Sequence, residues 1–231
     1  MQKVDTLITH GLVVTMDKDL QVIEDGAVAV SDGKISAVGA TTELQQSYSA
    51  GEVVDAGKHL VMPGLINAHT HLAMTLFRGY ADDLPLQPFL DKIWAAEGRF
   101  IRPETVRVGA QLAFIEMMRG GTTLAMDMYW FPEAAAEAAR QAGFRLINGP
   151  VYVDFVGPDG LEIEERAAWA REFMLTYQDD PYVIPCVLPH GTYTVSPEYL
   201  QSAQDLADEF GALYHIHASE TPGEGETVVE R

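Results

Sequence analysis

Two short histidine motifs carry most of the chemistry available to this sequence. His69-Thr70-His71 follows the apolar run Pro63-Gly64-Leu65-Ile66. In a strand, residues i and i+2 share a face, so both imidazoles are expected to point the same way at the strand's end. Such a pair suits Zn2+ or Fe2+. Far along the chain, His215-Ile216-His217-Ala218-Ser219-Glu220 repeats the pattern at the end of another apolar run. His217 is the candidate third nitrogen ligand. Glu220, on the loop just beyond, can move a proton beside a bound cation. Alone it would read as a solvated acid; beside three converging histidines it reads as catalytic.

The other chemistry-bearing residues divide more evenly. His215 shares a face with His217 but lies deeper, so it is expected either packed or hydrogen-bonded behind a ligand. His190 ends a further apolar run and is either a substrate contact or a residue that orients its loop. His10 and His59 read as surface or satisfied core histidines. Asp127 ends a candidate strand, with structural and substrate-side roles both open. Cys186 sits inside an apolar run and reads as core. The last lysine is Lys92, so no later strand can offer a carboxylated lysine to bridge two metals, and a single divalent cation is expected. Neither a phosphate-binding P-loop nor a dinucleotide-type glycine loop is present.

These residues need a scaffold that gathers strand ends. Up to residue 57 the chain reads as short β-branched strands, Leu7 to Met16, Ala27 to Ser31 and Lys34 to Val38. The Asp32-Gly33 pair between the last two is a hairpin signal. From residue 58 apolar runs alternate with helical stretches. The candidate strands are His59 to Ala68, Thr122 to Met128, Phe144 to Val153, Tyr182 to Leu188 and Ala212 to His217. The candidate helices are Pro103 to Arg119, Pro132 to Ala142, Leu161 to Tyr177 and Pro197 to Phe210. Proline opens three of these helices, where its missing N–H costs nothing. Leu76 to Phe100 reads as a long loop or short-helix insertion. The alternation predicts an α/β fold with a parallel sheet, either an open doubly wound sheet or a barrel. If a barrel, its active site lies at the C-terminal strand ends, where the histidines fall. Five such strands are present, whereas a closed barrel needs eight. The expected division is residues 1–57 as a β-domain and 58–231 as the βα part.

Bulk properties narrow the partners. Apolar residues are 47 % and charged residues 21 %, enough for a sizeable core and against disorder. The net charge of −19 opposes binding to nucleic acid or an anionic membrane by electrostatics alone. One cysteine in 231 residues excludes an internal disulfide and fits a reducing compartment. No signal peptide or spanning segment is read, so the expected location is cytoplasmic.

Several separated motifs, in order, resemble one family. Pro63-Gly64-Leu65-Ile66-Asn67-Ala68-His69-Thr70-His71 is similar to the opening signature of the amidohydrolase superfamily. Arg78-Gly79-Tyr80-Ala81-Asp82-Asp83-Leu84-Pro85-Leu86, Ile93-Trp94-Ala95-Ala96-Glu97, Gly120-Gly121-Thr122-Thr123, Pro189 to Ser196 and the run ending at Glu220 resemble one branch of it. That branch holds the S-adenosylhomocysteine/methylthioadenosine deaminases, guanine deaminases and triazine hydrolases. The resemblance implies a TIM-like (β/α) barrel, ending here after about five strands, with an N-terminal part of a β-sandwich. It implies one divalent metal, Zn2+ with Fe2+ as the alternative, held by His69, His71 and His217. Glu220 would be the acid/base that protonates a ring nitrogen, His190 a substrate contact, and Glu97 a position that touches a ribose.

The implied function is hydrolytic deamination of an aminated purine, pterin, pyrimidine or triazine by a metal-activated water. The implied partners are that small heterocycle and further copies of the chain. Expulsion of chloride or alkylamine from a triazine is the alternative reaction, and an inactive fragment the alternative of another kind. Two departures from the family bear on this. The family places a further histidine after the sixth strand and a metal-binding aspartate after the eighth, both beyond Arg231, so turnover by these residues alone is expected near zero. The adenosine-type enzymes carry arginines after the third strand, where this chain reads Asn148 to Asp154 with Pro150 at one such place. That disfavours S-adenosylhomocysteine. Gly191-Thr192 also replaces the usual Ala-Pro.

Overall fold

Gln2–Val14 (β1), Val22–Ser31 (β2) and Lys34–Ala40 (β3) form an antiparallel meander in the computed structural model, which describes residues 1–230. Asp32 and Gly33 turn β2 into β3 with φ of 51° and 70°, the left-handed pair that a tight primed turn requires. Helix α1 (Thr41–Ser47) then returns the chain to β4 (Tyr48–Asp55), which runs parallel to β1, as does the short β5 (Leu60–Val61). The helix seats Leu44 on Val4, Leu7, Ala27 and Ala29 as one buried cluster. The sheet's other face carries an open groove lined by Ile8, Val28, Val30 and Val38.

The chain divides into two units at Gly64/Leu65, seven residues past the expected boundary at residue 57. The shift has a local cause: Leu60 and Val61 pair with Leu12 and Val13 of β1, so the start of the run from His59 to Ala68 belongs to the first sheet.

The second unit opens with β6 (Leu65–Thr70), a 3-10 segment at Leu72–Phe77, and helices α2 (Leu86–Phe100) and α3 (Pro103–Arg119). Then come β7 (Thr122–Asp127), α4 (Pro132–Ala142), β8 (Arg145–Asn148) and β9 (Val151–Tyr152). Helix α5 (Ile163–Tyr177), β10 (Val183–Pro185), β11 (Leu188–Pro189), α6 (Pro197–Phe210) and α7 (Glu224–Glu230) complete it. The stretch from Leu76 to Phe100 is therefore mostly a regular helix. In α2 the buried residues Leu90, Ile93, Ala96 and Glu97 recur at helical spacing.

Sheet order is β6-β7-β8-β10, all parallel, with β9 and β11 pairing just beyond β8 and β10. With β8 and β9 taken as one interrupted strand and β10 and β11 as another, each strand lies beside the next in sequence, without the reversal that an open doubly wound sheet requires. Gly149 separates β8 from β9 because a side chain there would sit 2.2 Å from the Cys186 carbonyl oxygen. Ala212 to His217 adds a fifth parallel segment through two isolated bridges, Val187 to Tyr214 and Gly191 to His217. Between those bridges one side advances four residues and the other three, so a continuous ladder cannot form.

Phe114 of α3, Ala135 and Ala139 of α4, and Ala125, Leu146 and Leu188 of the strands share one buried cluster. Ala170, Met174, Ala203 and Leu206 of α5 and α6 form another with Tyr152 and Val187. Among the described residues no helix is long and apolar enough to cross a membrane.

Candidate metal centre

The curvature of the second sheet decides where the histidines meet. In a flat sheet the first and fifth strands lie about 19 Å apart, four spacings of about 4.8 Å. Here the His69 Nδ1 of β6 lies 2.7 Å from the His215 Nε2 of the fifth segment, and the Nε2 atoms of His69 and His217 are 3.1 Å apart. The sheet has curled so that its first and fifth segments face one another. The register of β6 on β7 slips between Asn67 and Thr70, a bulge that re-aims side chains at a strand end. His71 lies just beyond β6.

His69, His71 and His217 present ring nitrogens that all lie within 4.8 Å of one another. Nitrogens around a tetrahedral zinc sit about 3.3 Å apart for Zn–N of about 2.0–2.1 Å. Two of the rings have fixed tautomers. His71 Nδ1–H donates to the Met128 carbonyl at 2.6 Å, and His217 Nδ1–H donates to the His190 carbonyl at 2.6 Å. A carbonyl only accepts, so Nε2 of each ring keeps a free lone pair, the form a metal needs. Burial, and then the neighbouring imidazoles, bring His71 down to about 4 against the opposing pull of its bond to the Met128 carbonyl. Burial also lowers His69, followed by His217 and His215, while Glu220 pulls the other way. The donor set of three neutral imidazoles fits a divalent cation.

The remaining site residues surround this cluster. His190 is brought down to about 3 by burial and then by His217. Its Nδ1 meets the Thr194 hydroxyl at 2.9 Å, and it lines a narrow cleft with His71 and Glu97. Glu97, 4 % exposed, accepts the Trp130 indole N–H at 2.9 Å, and burial raises its pKa. Trp94, Phe155, Val151 and Val153 give the cleft apolar walls. Glu220 accepts the Tyr193 hydroxyl at 2.5 Å. The turn between His217 and Glu220 puts Ser219 at φ 60°, and Glu224, bonded at 2.6 Å to the Thr192 hydroxyl, takes the Glu220 backbone N–H at 2.8 Å. A left-handed serine costs energy and persists only where its surroundings hold it.

Motif reading missed Trp130, Glu224 and the acceptor roles of Met128 and His190. Tyr193 and Thr192 stood within a motif without a role. His10 bonds Asp25 at 3.0 Å and His59 bonds the Gly57 carbonyl at 2.9 Å, both in the first unit. Cys186 is buried, which pushes its thiol pKa up.

Asp127 proves to be an internal brace: 2 % exposed, it accepts the Leu72 N–H at 2.7 Å. Burial pushes its carboxyl up to about 7. With the folded value above the unfolded one, the folded state binds the extra proton between about pH 4 and 7, so this group's contribution falls as pH rises through that window. Asp127→Asn keeps the acceptor without the charge. It is expected to gain stability relative to the unaltered chain across that window, reaching roughly 1–3 kcal/mol. Urea unfolding at pH 4.5 and 7.5 measures this, and an unchanged difference would refute it.

The amidohydrolase family profile matches residues 60–231. The chain belongs to the amidohydrolase family. A shorter match over residues 26–48 is to the bacterial imidazolonepropionase-like composite domain. This amidohydrolase is 44 % identical over 211 residues to the 5-methylthioadenosine/S-adenosylhomocysteine deaminase of Thermodesulfovibrio yellowstonii, covering 90 % of this chain and 48 % of the relative. It superimposes with a TM-score of 0.95 on the zinc-bound crystal structure of an adenosine deaminase from Xanthomonas campestris, 39 % identical, covering 100 % of this chain and 53 % of that one. A triazine hydrolase variant, 20 % identical with a TM-score of 0.86, shares the fold over 97 % of this chain and 55 % of its own. The amidohydrolase described here thus spans about half the length of the curated relatives it matches.

Proposed function

We propose that this amidohydrolase chain carries the imidazole ligands and the proton-transfer carboxylate of a hydrolytic deaminase acting on an adenine-type heterocycle. The 3.1 Å approach of the His69 and His217 Nε2 atoms carries this reading. The zinc-bound adenosine deaminase and the deaminase relative support it.

His69, His71 and His217 would hold one divalent cation, Zn2+ on the strength of the zinc-bound neighbour. When bound, the cation supplies Lewis acidity that makes water a competent nucleophile near neutral pH. The protein supplies the rest. Glu220, held by the Tyr193 hydroxyl, would deliver a proton to the ring nitrogen beside the carbon under attack, making that carbon electrophilic. Of the two protons of the added water, one replaces the proton Glu220 gave up and the other goes to the amino group, which leaves as ammonia. His190 contacts the substrate at the cleft mouth. Glu97, buried against Trp130, receives hydroxyl groups from the far end of the ligand.

The segment from Asn148 to Asp154 contributes Val151 and Val153 to the cleft and no arginine. A neutral adenine nucleoside therefore suits that wall better than one bearing an amino-acid tail.

The test is ammonia release from 5-methylthioadenosine, adenosine, guanine and S-adenosylhomocysteine. It compares the zinc-loaded chain alone with the chain extended by the remaining half of the Thermodesulfovibrio relative. Release is expected from the extended protein, fastest with 5-methylthioadenosine or adenosine, and near zero from the chain alone. Chloride or alkylamine release from triazines without any ammonia would replace the deaminase reading.

A further inference from the structure

We propose that His215 is a positioning residue that sets the tautomer and direction of His69 toward the shared cation. The proposal rests on the metal-centre reading above.

Each of the three candidate ligands must offer an unprotonated nitrogen, so each needs its other nitrogen protonated and satisfied. His71 and His217 solve this with backbone carbonyls at 2.6 Å. Among the described residues, no carbonyl is bonded to His69 in this way. Its Nδ1 meets the His215 Nε2 at 2.7 Å, while its own Nε2 faces the His217 Nε2 at 3.1 Å. The one arrangement compatible with metal binding has His69 Nδ1–H donating and His215 Nε2 accepting. His215 then carries its proton on Nδ1. The two rings lie 5.0 Å apart and tilted by 33°, and the His215 backbone N–H is fixed on the Val187 carbonyl at 3.0 Å. His215 is not one of the three residues whose ring nitrogens converge; its Nε2 is spent on His69.

An imidazole differs from a carbonyl because it can donate as well as accept. His215 thus ties the first segment of the curled sheet to the fifth and makes the direction of His69 conditional on that bond. Partners of this kind are worth about 10–100-fold in metal affinity.

The test uses the full 231-residue chain with His215→Phe and His215→Gln. Zn2+ affinity is read by competition with a chromophoric chelator, coordination number from Co2+ absorption, and folding from thermal unfolding of the metal-free proteins. Phenylalanine keeps the ring but offers no acceptor, and is expected to weaken Zn2+ binding about 10–100-fold without changing the Co2+ coordination number. Glutamine offers a carbonyl oxygen and is expected to recover most of that loss. If the phenylalanine variant does not fold, His215→Ala takes its place.

Undiminished affinity without an acceptor at position 215 would overturn the proposal. So would equal losses in both variants with a lower Co2+ coordination number, which would make His215 a ligand. Failure of the unaltered chain to bind Zn2+ or Co2+ would instead remove the metal centre, and the proposal with it.

Discussion

Glu220→Gln is expected to lower ammonia release by about 10²–10⁴-fold, the range for losing a positioned acid/base, while metal content and Zn2+ affinity stay unchanged. Glutamine matches the size of glutamate and can still accept the Tyr193 hydroxyl, which lies 2.5 Å from the carboxylate. It cannot carry the proton. The backbone that positions residue 220 is held separately, by the N–H bond to Glu224 at 2.8 Å and the Thr192 bond to Glu224 at 2.6 Å. The side chain's chemistry and the loop's shape are therefore separable. The measurement is steady-state ammonia release by the extended protein, with zinc content determined on the same sample. Retained turnover would deny Glu220 its role; lost turnover together with lost zinc would point to collapse of the loop.

The largest single loss of stability is expected from Asp159→Ala. Arg166 on α5 has a side chain with no exposed surface, and the side chain of its partner Asp159 is 4 % exposed. Two bonds of 2.6 and 2.5 Å join them. The guanidinium also reaches the Leu161 carbonyl at 3.2 Å and lies 5.2 Å over the Trp130 ring. Removing the carboxylate strands a buried cation, which costs about 3–5 kcal/mol. The exposed pair Arg78–Glu116 is the control, because surface pairs are worth about 0–1 kcal/mol. Chemical denaturation of Asp159→Ala beside Glu116→Ala measures both. Comparable small losses in the two would contradict this account of the Arg166 site. Trp130 bonds Glu97 within the cleft, so ligand binding should weaken along with stability.

Local signals were the readable part of this fold. Helices α3, α4 and α6 run from their proline starts over the expected residues, each followed by a glycine, because a missing N–H and a glycine at the C-terminal end act within one turn. Helix α2 was obscured by Pro85 and Pro88, which interrupt its pattern at the N-terminal end. The division of the run from His59 to Ala68 between two sheets was not readable, since the pairing of Leu60 and Val61 with β1 has no local signature. The same holds for the near-absent ladder at the fifth segment, which depends on register against its neighbour.

The site divides in the same way. Histidines at strand ends are visible as residue types. The carbonyls of Met128 and His190 that set their tautomers are not, because every residue carries a carbonyl. The bond between His69 and His215 appears only once the sheet curls.

The central claim is that His69, His71 and His217 hold one cation between them. The direct measurement is zinc content and affinity of the chain and of His71→Ala and His217→Ala, after loading and extensive dialysis. If about 10–16 kcal/mol is shared by four ligands, each carries roughly 3 kcal/mol. The account therefore predicts one zinc per unaltered chain and an affinity lower by about 100-fold or more in either variant. Zinc held equally well by all three proteins would contradict it.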